Sequence, residues 1–302
     1  MTKNSYILSI DQGTTSSRAA LVSEEGSIVC QKNIEFKQYF PHNGWVEHNP
    51  KDIISSTLKC VKSVIEKSKI LPKEIITAGI TNQRETIVAW DKKSGNPIYN
   101  AIVWQDRRTE DICKSLREKN LHNLIKQKTG LVIDPYFSAS KVQWIIKNVE
   151  KAKTLMKSND LLVGTIDTWL IWNLTDKQCH FTDATNASRT MLYNIKDDCW
   201  DNELLEIFNI PREILPKVKN SMDDFGVIKK NIFGSDIPIC GVAGDQQAAA
   251  FGQLCLKKGM IKSTYGTGCF MLMNTGKEIY QSQNKLLSTT AFKTKDQKMY
   301  AL

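Results

Sequence analysis

The sequence lacks the patterns that assign a chain to several common functional classes. No apolar stretch approaches the length that spans a bilayer, and residues 1–5 lead into the first apolar strand without a signal-peptide core. The four histidines show no metal-ligand spacing, and no Gly-x-Ser-x-Gly sequence is present. These absences argue against a membrane protein, a secreted protein, a histidine metal site and a serine hydrolase.

Cysteine and charge patterns narrow the class further. The eight cysteines include no Cys-x-x-Cys pair, and several lie in apolar runs, as buried reduced thiols do. This argues against a zinc site and predicts a cytoplasmic protein. The formal net charge is +9, but the lysines are scattered and no dense basic block with interleaved aromatic residues appears. We therefore expect a solvated basic surface, no nucleic-acid partner and no membrane partner.

Length and patterning predict an α/β protein. A chain of 302 residues with 41% hydrophobic content buries a sizeable core and contains roughly two domains of ~100–200 residues each. Asn49-Pro50, followed by apolar residues at positions 54, 58, 61 and 65, predicts a capped helix with one buried stripe. Residues 75–80 are apolar enough for a strand covered on both faces of a sheet. Further helices are predicted near residues 109–118, 138–149, 167–174 and 202–208, and further strands at residues 87–90 and 237–242. The alternation of strands and helices predicts an α/β fold with a mixed sheet.

Residues 11–18 form a polar turn between two apolar strands. Gly13 allows a sharp reversal and a close approach of the backbone to a ligand, and the N–H and hydroxyl groups that follow can surround phosphate oxygens. Asp11 offers the hard oxygen that Mg²⁺ prefers. The layout differs from the Walker loop, in which Gly-Lys-Ser/Thr opens a helix. An ordinary polar hairpin remains an alternative at this point, because turns favour these residue types.

A second polar turn, Gly266-Thr267-Gly268, repeats this layout late in the chain. It lies between the strand-like residues 260–265 and the apolar residues 269–273. A weak internal repeat of this kind is expected of a protein whose two related halves enclose one nucleotide.

Two further strand ends carry polar or aromatic residues. Arg84 and Glu85 lie between two apolar strands, where ligand sites of open α/β sheets gather, and together they supply donors and acceptors for the hydroxyls of a polyol. The alternative is a surface ion pair. Trp104 ends another apolar strand and Tyr136 follows Asp134-Pro135, so each either contacts the carbon face of a ligand or packs in the core.

Asp245 is the strongest catalytic candidate in the sequence. An apolar strand runs into Asp245-Gln246-Gln247, and a helix-forming segment follows. Helix capping is the rival interpretation. A phosphate turn, a hydroxyl-binding pair and a carboxylate at comparable strand ends together describe phosphoryl transfer to an alcohol.

At these residues the chain resembles the FGGY family of carbohydrate kinases. The resemblance covers residues 10–18, 44–47, 81–86, 104–108, 182–191, 244–247 and 266–268, and residues 136–148 with Lys141 and Trp144 resemble the first family signature. It implies a ribonuclease H-like fold of the actin and hexokinase ATPase type. Within the family, the Asn-Gln-Arg-Glu motif and the nearby tryptophan resemble the members that phosphorylate glycerol.

The resemblance also implies the roles of individual residues. The glycerol pocket would be lined by Arg84, Glu85, Trp104, Tyr136, Asp245, Gln246 and Phe270, with Asp245 as the general base. The phosphates of ATP or ADP would contact Thr14, Thr15, Ser16, Arg18, Gly266 and Thr267. Asp11 would hold Mg²⁺, and the product would be glycerol 3-phosphate.

Family members continue well beyond residue 302, so the resemblance implies an N-terminal kinase domain over residues 1–252 and the start of a truncated second domain over residues 253–302. Two other functions stay open: a related polyol or sugar kinase, and a non-catalytic protein that binds a nucleotide or a polyol. The sequence leaves the oligomeric state open, a homo-oligomer included.

Overall fold

The computed structural model describes residues 5–266 and 268–302. The helices of this part of the chain are α1 Pro50–Ser68, α2 Glu110–Glu118, α3 His122–Thr129, α4 Ser138–Asn148, α5 Glu150–Lys157, α6 Ile166–Leu174, α7 Ala184–Ala187, α8 Asn202–Phe208, α9 Lys230–Phe233 and α10 Asp245–Gly252. The strands are β1 Tyr6–Gln12, β2 Ser16–Ser23, β3 Ile28–Glu35, β4 Gln38–Tyr39, β5 Glu47–His48, β6 Ile75–Asn82, β7 Ile87–Asp91, β8 Ala101–Ile102, β9 Leu161–Thr165, β10 Phe181–Asp183, β11 Tyr193–Asn194, β12 Cys199–Trp200, β13 Lys217–Lys219, β14 Val227–Ile228, β15 Ile237–Gly244, β16 Ile261–Tyr265, β17 Cys269–Gly276, β18 Thr289–Lys293 and β19 Lys298–Ala301.

The central sheet brings three strand ends together. Its six strands follow the order β14-β15-β6-β1-β2-β3. β1 and β15 both pair with β6 in parallel, whereas β2 pairs antiparallel with β1 and with β3, so the predicted mixed sheet is confirmed. In register, Gln12 lies beside Asn82 and Asn82 beside Gly244. The segments that follow β1, β6 and β15 therefore emerge at one edge of the sheet.

The apolar core has separate parts. One cluster packs α1 and α6 against the central sheet, and a second surrounds a five-stranded sheet of order β4-β5-β8-β7-β9. β16 to β19 form a third, four-stranded sheet with a small apolar cluster of its own. β16 and β17, the strands predicted on either side of the second polar turn, pair antiparallel.

Helix α1 forms where the sequence predicts it, but its buried face is displaced. The Asn49 side chain accepts a hydrogen bond from the backbone N–H of Lys51 at 2.9 Å, as an N-cap residue does. The fully buried apolar residues are Ile53, Cys60, Val61 and Val64, whereas positions 54, 58 and 65 are only half-buried. The predicted residues pack against the core of the central sheet, but the most deeply buried line of the helix lies about one position earlier at most sites.

The two faces of the central sheet are covered unequally, contrary to the prediction for β6. Buried and partly exposed residues alternate along β6, and Ile76 is 53% exposed. On the less covered face, β1, β6 and β15 contribute to an open groove of about 540 Å³. No helix within residues 5–266 and 268–302 is long and apolar enough to cross a membrane.

Candidate active site

A small cleft lies at the edge of the sheet where β1, β6 and β15 end. Its volume is about 170 Å³, and it is lined by Thr14, Thr15, Arg84, Glu85, Trp104, Tyr136, Asp245, Gln246, Thr264, Gly266, Gly268 and Phe270. All the residues predicted for an acceptor pocket line this one cleft, together with Thr14, Thr15 and Gly266 of the predicted phosphate-binding set. Thr264 and Gly268 also line the cleft, although neither was predicted as a site residue; Gly268 belongs to the second polar turn and Thr264 lies just before it.

Arg84 is the centre of a buried charge cluster. Its Nε lies 3.3 Å from Oδ1 of Asp245 and 3.9 Å from Oε1 of Glu85, and its Nη1 donates to Oε1 of Gln247 at 3.1 Å. The side chains of Arg84 and Glu85 are 6% and 2% exposed, so the alternative of a surface ion pair was wrong. Burial disfavours the charge of Arg84, but the surrounding carboxylates outweigh this effect and raise its pKa.

Glu85 occupies a strained position in the backbone. Its φ is +64°, and the N–H of Thr86 donates to the carbonyl of Arg84 at 2.7 Å, which closes a three-residue turn. The Ser138 hydroxyl donates to the Glu85 carbonyl at 2.9 Å. A positive φ at a residue other than glycine is rare and concentrates at functional sites. Here the turn places the side chains of two consecutive residues, Arg84 and Glu85, in the same cleft.

Arg189 was missed as a partner of this cluster. Its Nε donates to Oε1 of Glu85 at 2.7 Å, and its side chain is 4% exposed. The guanidinium carbon also lies 5.5 Å from the centre of the Tyr136 ring. Arg189 lies in the motif at residues 182–191, which marked this segment as part of the family pattern. Nothing in the sequence, however, indicated that this segment contacts Glu85.

The backbone around Tyr136 is held by a buried lysine. Lys141 is fully buried, and its ammonium group donates to the carbonyls of Pro135, Tyr136 and Phe137. Burial lowers the pKa of Lys141 to about 8. Since the hydroxyl of Tyr136 accepts from Nη2 of Arg84 at 3.5 Å, this lysine fixes the stretch of backbone that carries one wall of the cleft.

Trp104 forms an aromatic wall with Tyr136 and Phe270 and connects this wall to the first polar turn. Its ring centre lies 5.6 Å from that of Tyr136 and 6.1 Å from that of Phe270. The indole Nε1 donates to Oγ1 of Thr14 at 3.0 Å. Trp104 is only half-buried, so core packing alone does not describe it. The aromatic wall and the first polar turn are therefore in direct contact.

Asp245 is the first residue of α10, and Gly244 occupies the N-cap position. The carboxylate accepts from the N–H of Gln246 at 2.7 Å, and its side chain is 35% exposed. Burial raises the pKa of Asp245, and Arg84 opposes this effect. Capping therefore does not account for the position of Asp245, which also contacts Arg84 and lines the cleft.

The first polar turn is shorter than predicted. β1 continues through Gln12 and β2 begins at Ser16, so the turn consists of residues 13–15, and the N–H of Gly13 donates to the carbonyl of Ser16 at 2.9 Å. Ser16 and Arg18 lie in β2 and do not line the cleft, and Arg18 is exposed. Thr267 lies outside the described residues.

Asp11 shares the electrostatic environment of Asp245. It pairs with Arg18 across β1 and β2. Burial raises the pKa of Asp11, Arg18 opposes this effect and the negative charge of Asp245 adds to it. Among the described residues, no three His, Cys, Asp or Glu side chains are grouped closely enough to hold a metal ion by themselves.

Comparisons with known proteins identify the family of the chain. Residues 6–252 match the family described as "FGGY family of carbohydrate kinases, N-terminal domain". The glycerol kinase of Rhizobium meliloti is 54% identical over 297 residues, and glycerol kinase 2 of Thermotoga maritima is 53% identical over 297 residues. Each alignment covers 98% of this chain and 60% of the relative, so the chain spans about three fifths of the length of these relatives.

Solved structures of other kinases have the same fold as this chain. The crystal structure of Plasmodium falciparum glycerol kinase with ADP has a TM-score of 0.94 at 39% identity, covering 99% of this chain and 60% of that one. The structure of a xylulose kinase from Lactobacillus acidophilus has a TM-score of 0.84 at 22% identity. That alignment covers 99% of this chain and 59% of the xylulose kinase, so the two share the fold. The predicted α/β fold of the actin and hexokinase ATPase type is confirmed. The chain belongs to the FGGY family of carbohydrate kinases.

Proposed function

We propose that the protein transfers the γ-phosphate of ATP to glycerol and forms sn-glycerol 3-phosphate. The observation that carries this proposal is the small cleft in which the buried Arg84 and Glu85 and the half-buried Asp245 face an aromatic wall and adjoin the Thr14 turn. Two relatives that are 54% and 53% identical over 297 aligned residues are named glycerol kinases, which supports glycerol as the acceptor.

The cleft suits a short polyol. Its volume of about 170 Å³ is below the ~300–1,000 Å³ that is usual for drug-sized ligands, so a three-carbon acceptor fits it better than a long one. Arg84 can donate hydrogen bonds and Glu85 can accept them. The neighbouring hydroxyl groups of a polyol need both a donor and an acceptor, because each hydroxyl both accepts and donates. The rings of Trp104 and Phe270 provide apolar surface for the carbon side of the acceptor.

Asp245 is the proposed general base. As the terminal hydroxyl oxygen of glycerol attacks the γ-phosphorus in line, its proton passes to the Asp245 carboxylate, and the bond to the leaving ADP breaks. Arg84, 3.3 Å away, holds the carboxylate in place and offsets the effect of burial on its charge. The aromatic wall limits access of water to this side of the cleft.

The phosphates of ATP are proposed to contact Thr14, Thr15 and Gly266 first, with Ser16, Arg18 and Thr267 as further contacts. Asp11 fits a role in holding Mg²⁺, because its half-buried carboxylate experiences the negative charge of Asp245 and a cation would relieve that repulsion. A single carboxylate is compatible with Mg²⁺, which commonly keeps several waters and binds substrate phosphates. When bound, Mg²⁺ would neutralise charge on the phosphate oxygens.

The division into a kinase domain of residues 1–252 and the start of a second domain at 253–302 stays a proposal, as do a cytoplasmic location and assembly into a homo-oligomer. All eight cysteines lie in the described part of the chain and carry free thiols, which supports a reducing compartment.

An acceptor panel tests the proposed reaction. We expect the complete gene product to phosphorylate glycerol with ATP and Mg²⁺ in preference to xylulose and ribulose, with calorimetry reporting glycerol binding separately. Transfer to a pentulose without transfer to glycerol would support the related sugar kinase instead. Glycerol binding without ATP turnover would support a non-catalytic binding protein.

Asp245→Asn tests the general base. Since positioned bases contribute ~10²–10⁴-fold, we expect turnover to fall by at least about 100-fold while glycerol affinity stays within about threefold. Asp296→Asn, at an exposed position between β18 and β19, is the matched control and should leave both quantities unchanged. Near-normal turnover of Asp245→Asn would refute the base role.

A further inference from the structure

A buried cation lies directly behind the cleft. Lys262 of β16 is 7% exposed, and its ammonium nitrogen donates to Oε1 of Gln246 at 2.8 Å. The Thr264 hydroxyl donates to the same oxygen at 3.3 Å. Lys262 does not line the cleft, whereas Gln246 and Thr264 do. The lysine therefore contacts the cleft through Gln246, and its charge also interacts with those of Asp245 and Arg84.

The contact with Lys262 determines which end of the Gln246 amide faces the cleft. A lysine ammonium has three donors and no acceptor, so only the carbonyl oxygen of an amide can face it. The amide NH₂ group must then point away from Lys262. This assignment follows from the chemistry of the lysine and does not depend on distinguishing nitrogen from oxygen by position.

The NH₂ group turned away from Lys262 is available to Asp245. Gln246 already donates its backbone N–H to Oδ1 of Asp245 at 2.7 Å. The Gln246 side chain also acts as a hydrogen-bond donor that lowers the pKa of Asp245, against the larger, opposite effect of burial. A hydrogen bond to a charged group is stronger than one between two neutral groups, so it holds the carboxylate in one orientation more firmly.

We propose that Lys262 is a positioning residue, which fixes the Gln246 amide so that its NH₂ group faces Asp245 and the cleft. This deepens the proposed function and rests on it for the role of Asp245. With the amide fixed, the Asp245 carboxylate keeps one orientation, and Gln246 acts toward the acceptor only as a donor. Freed from Lys262, the amide can turn over and present an oxygen, which repels the carboxylate.

Lys262→Met keeps the length of the side chain and removes the donor. A hydrogen bond to a charged group is worth ~1.5–3 kcal/mol, so we expect kcat for glycerol phosphorylation by the complete gene product to fall about 10- to 100-fold. KM for ATP should change less than about twofold. A large rise in KM for ATP, with kcat preserved, would overturn the proposal in favour of a direct phosphate contact. Lys258→Met, at an exposed position before β16, is the matched control and should behave as the wild type.

Two substitutions separate this role from simple structural support. Lys262→Arg retains a donor and should recover at least about half of the lost kcat. Gln246→Glu keeps the contact with Lys262 but has no NH₂ group, so it should lose about as much activity as Lys262→Met. Wild-type kcat in a folded Gln246→Glu protein would overturn the proposal. In a Gln246→Ala background, Lys262→Met should cause little further loss, whereas multiplicative losses would show that Lys262 acts independently.

The amide orientation has a readout independent of catalysis. The side-chain NH₂ signals of Gln246 in an NMR spectrum, assigned by their loss in Gln246→Ala, should shift and broaden in Lys262→Met and remain in place in Lys258→Met. Signals that do not respond to Lys262→Met would overturn the proposed orientation. If the wild type phosphorylates no acceptor, the proposed function fails, and this spectrum still decides the positioning of Gln246.

Discussion

Gly244→Ala should displace Arg84 without disturbing the backbone. Gly244 is the N-cap residue of α10, and its φ and ψ of −60° and 149° suit alanine as well as glycine. An added Cβ, however, would lie 2.7 Å from both Cγ and Cδ of Arg84 and 3.1 Å from Oε1 of Gln247. The prediction is thus a steric one, confined to the arginine that anchors the charge cluster.

The size of the effect follows from these distances. Ordinary contact between carbon atoms begins at about 3.4 Å, so Arg84 has to move by about 0.7 Å, and its partners Asp245, Glu85 and Gln247 resist that movement. Misplacement by ~1 Å costs ~10²-fold in rate. We therefore expect kcat/KM for glycerol to fall about 10- to 100-fold. Overpacking should also lower the free energy of unfolding by ~1–3 kcal/mol.

Gly241→Ala provides the matched control on the same strand. Its Cβ would find the carbonyl oxygen of Ser221 as the nearest atom, at 4.0 Å, which is an ordinary contact. Steady-state kinetics with glycerol, calorimetry and urea unfolding should show near-wild-type values for this variant. Equal activity and equal glycerol affinity of the two alanine variants would refute the reasoning, since Arg84 would then not need its observed position.

Two further predictions concern buried charges. Arg189→Met leaves Glu85 without its closest partner and should lower the free energy of unfolding by ~3–5 kcal/mol in urea titrations, whereas Lys153→Met, in an exposed ion pair, should change it little. Equal losses in both would contradict this. Burial raises the pKa of Asp167 to about 7, above its unfolded value, so its effect on stability becomes more unfavourable as pH rises from about 4 to about 7. Asp167→Asn should therefore gain ~3 kcal/mol of unfolding free energy relative to the wild type between about pH 5 and about pH 8, and a pH-independent difference would show that burial does not shift the pKa of Asp167.

Local signals in the sequence were sufficient for several elements. The helix predicted at residues 202–208 matches α8 Asn202–Phe208, and Asn49 caps α1. The strand before Asp245 and the helix after it also form where predicted. These elements depend on interactions within a few residues, such as a side chain that accepts from the nearest free N–H groups, and the local sequence contains both partners.

Other features were wrong or missed because their partners are distant in the chain. The exposed Ile76 face of β6 depends on what packs against the sheet, and the length of the turn at residues 13–15 depends on the pairing of β1 with β2. Short elements such as α7, with four residues, are too brief to show a periodic pattern.

The sequence by itself determined which polar and aromatic residues stand at the strand ends. Carboxylates, a guanidinium group and hydroxyls at these positions, together with the family resemblance, predicted most of the residues that line the cleft. Only the tertiary structure decided how these groups are arranged, because the contacts of Arg189 with Glu85, Trp104 with Thr14 and Lys262 with Gln246 join segments that are separated along the chain. Such contacts depend on sheet register and on the packing of one layer against another, which no local pattern encodes.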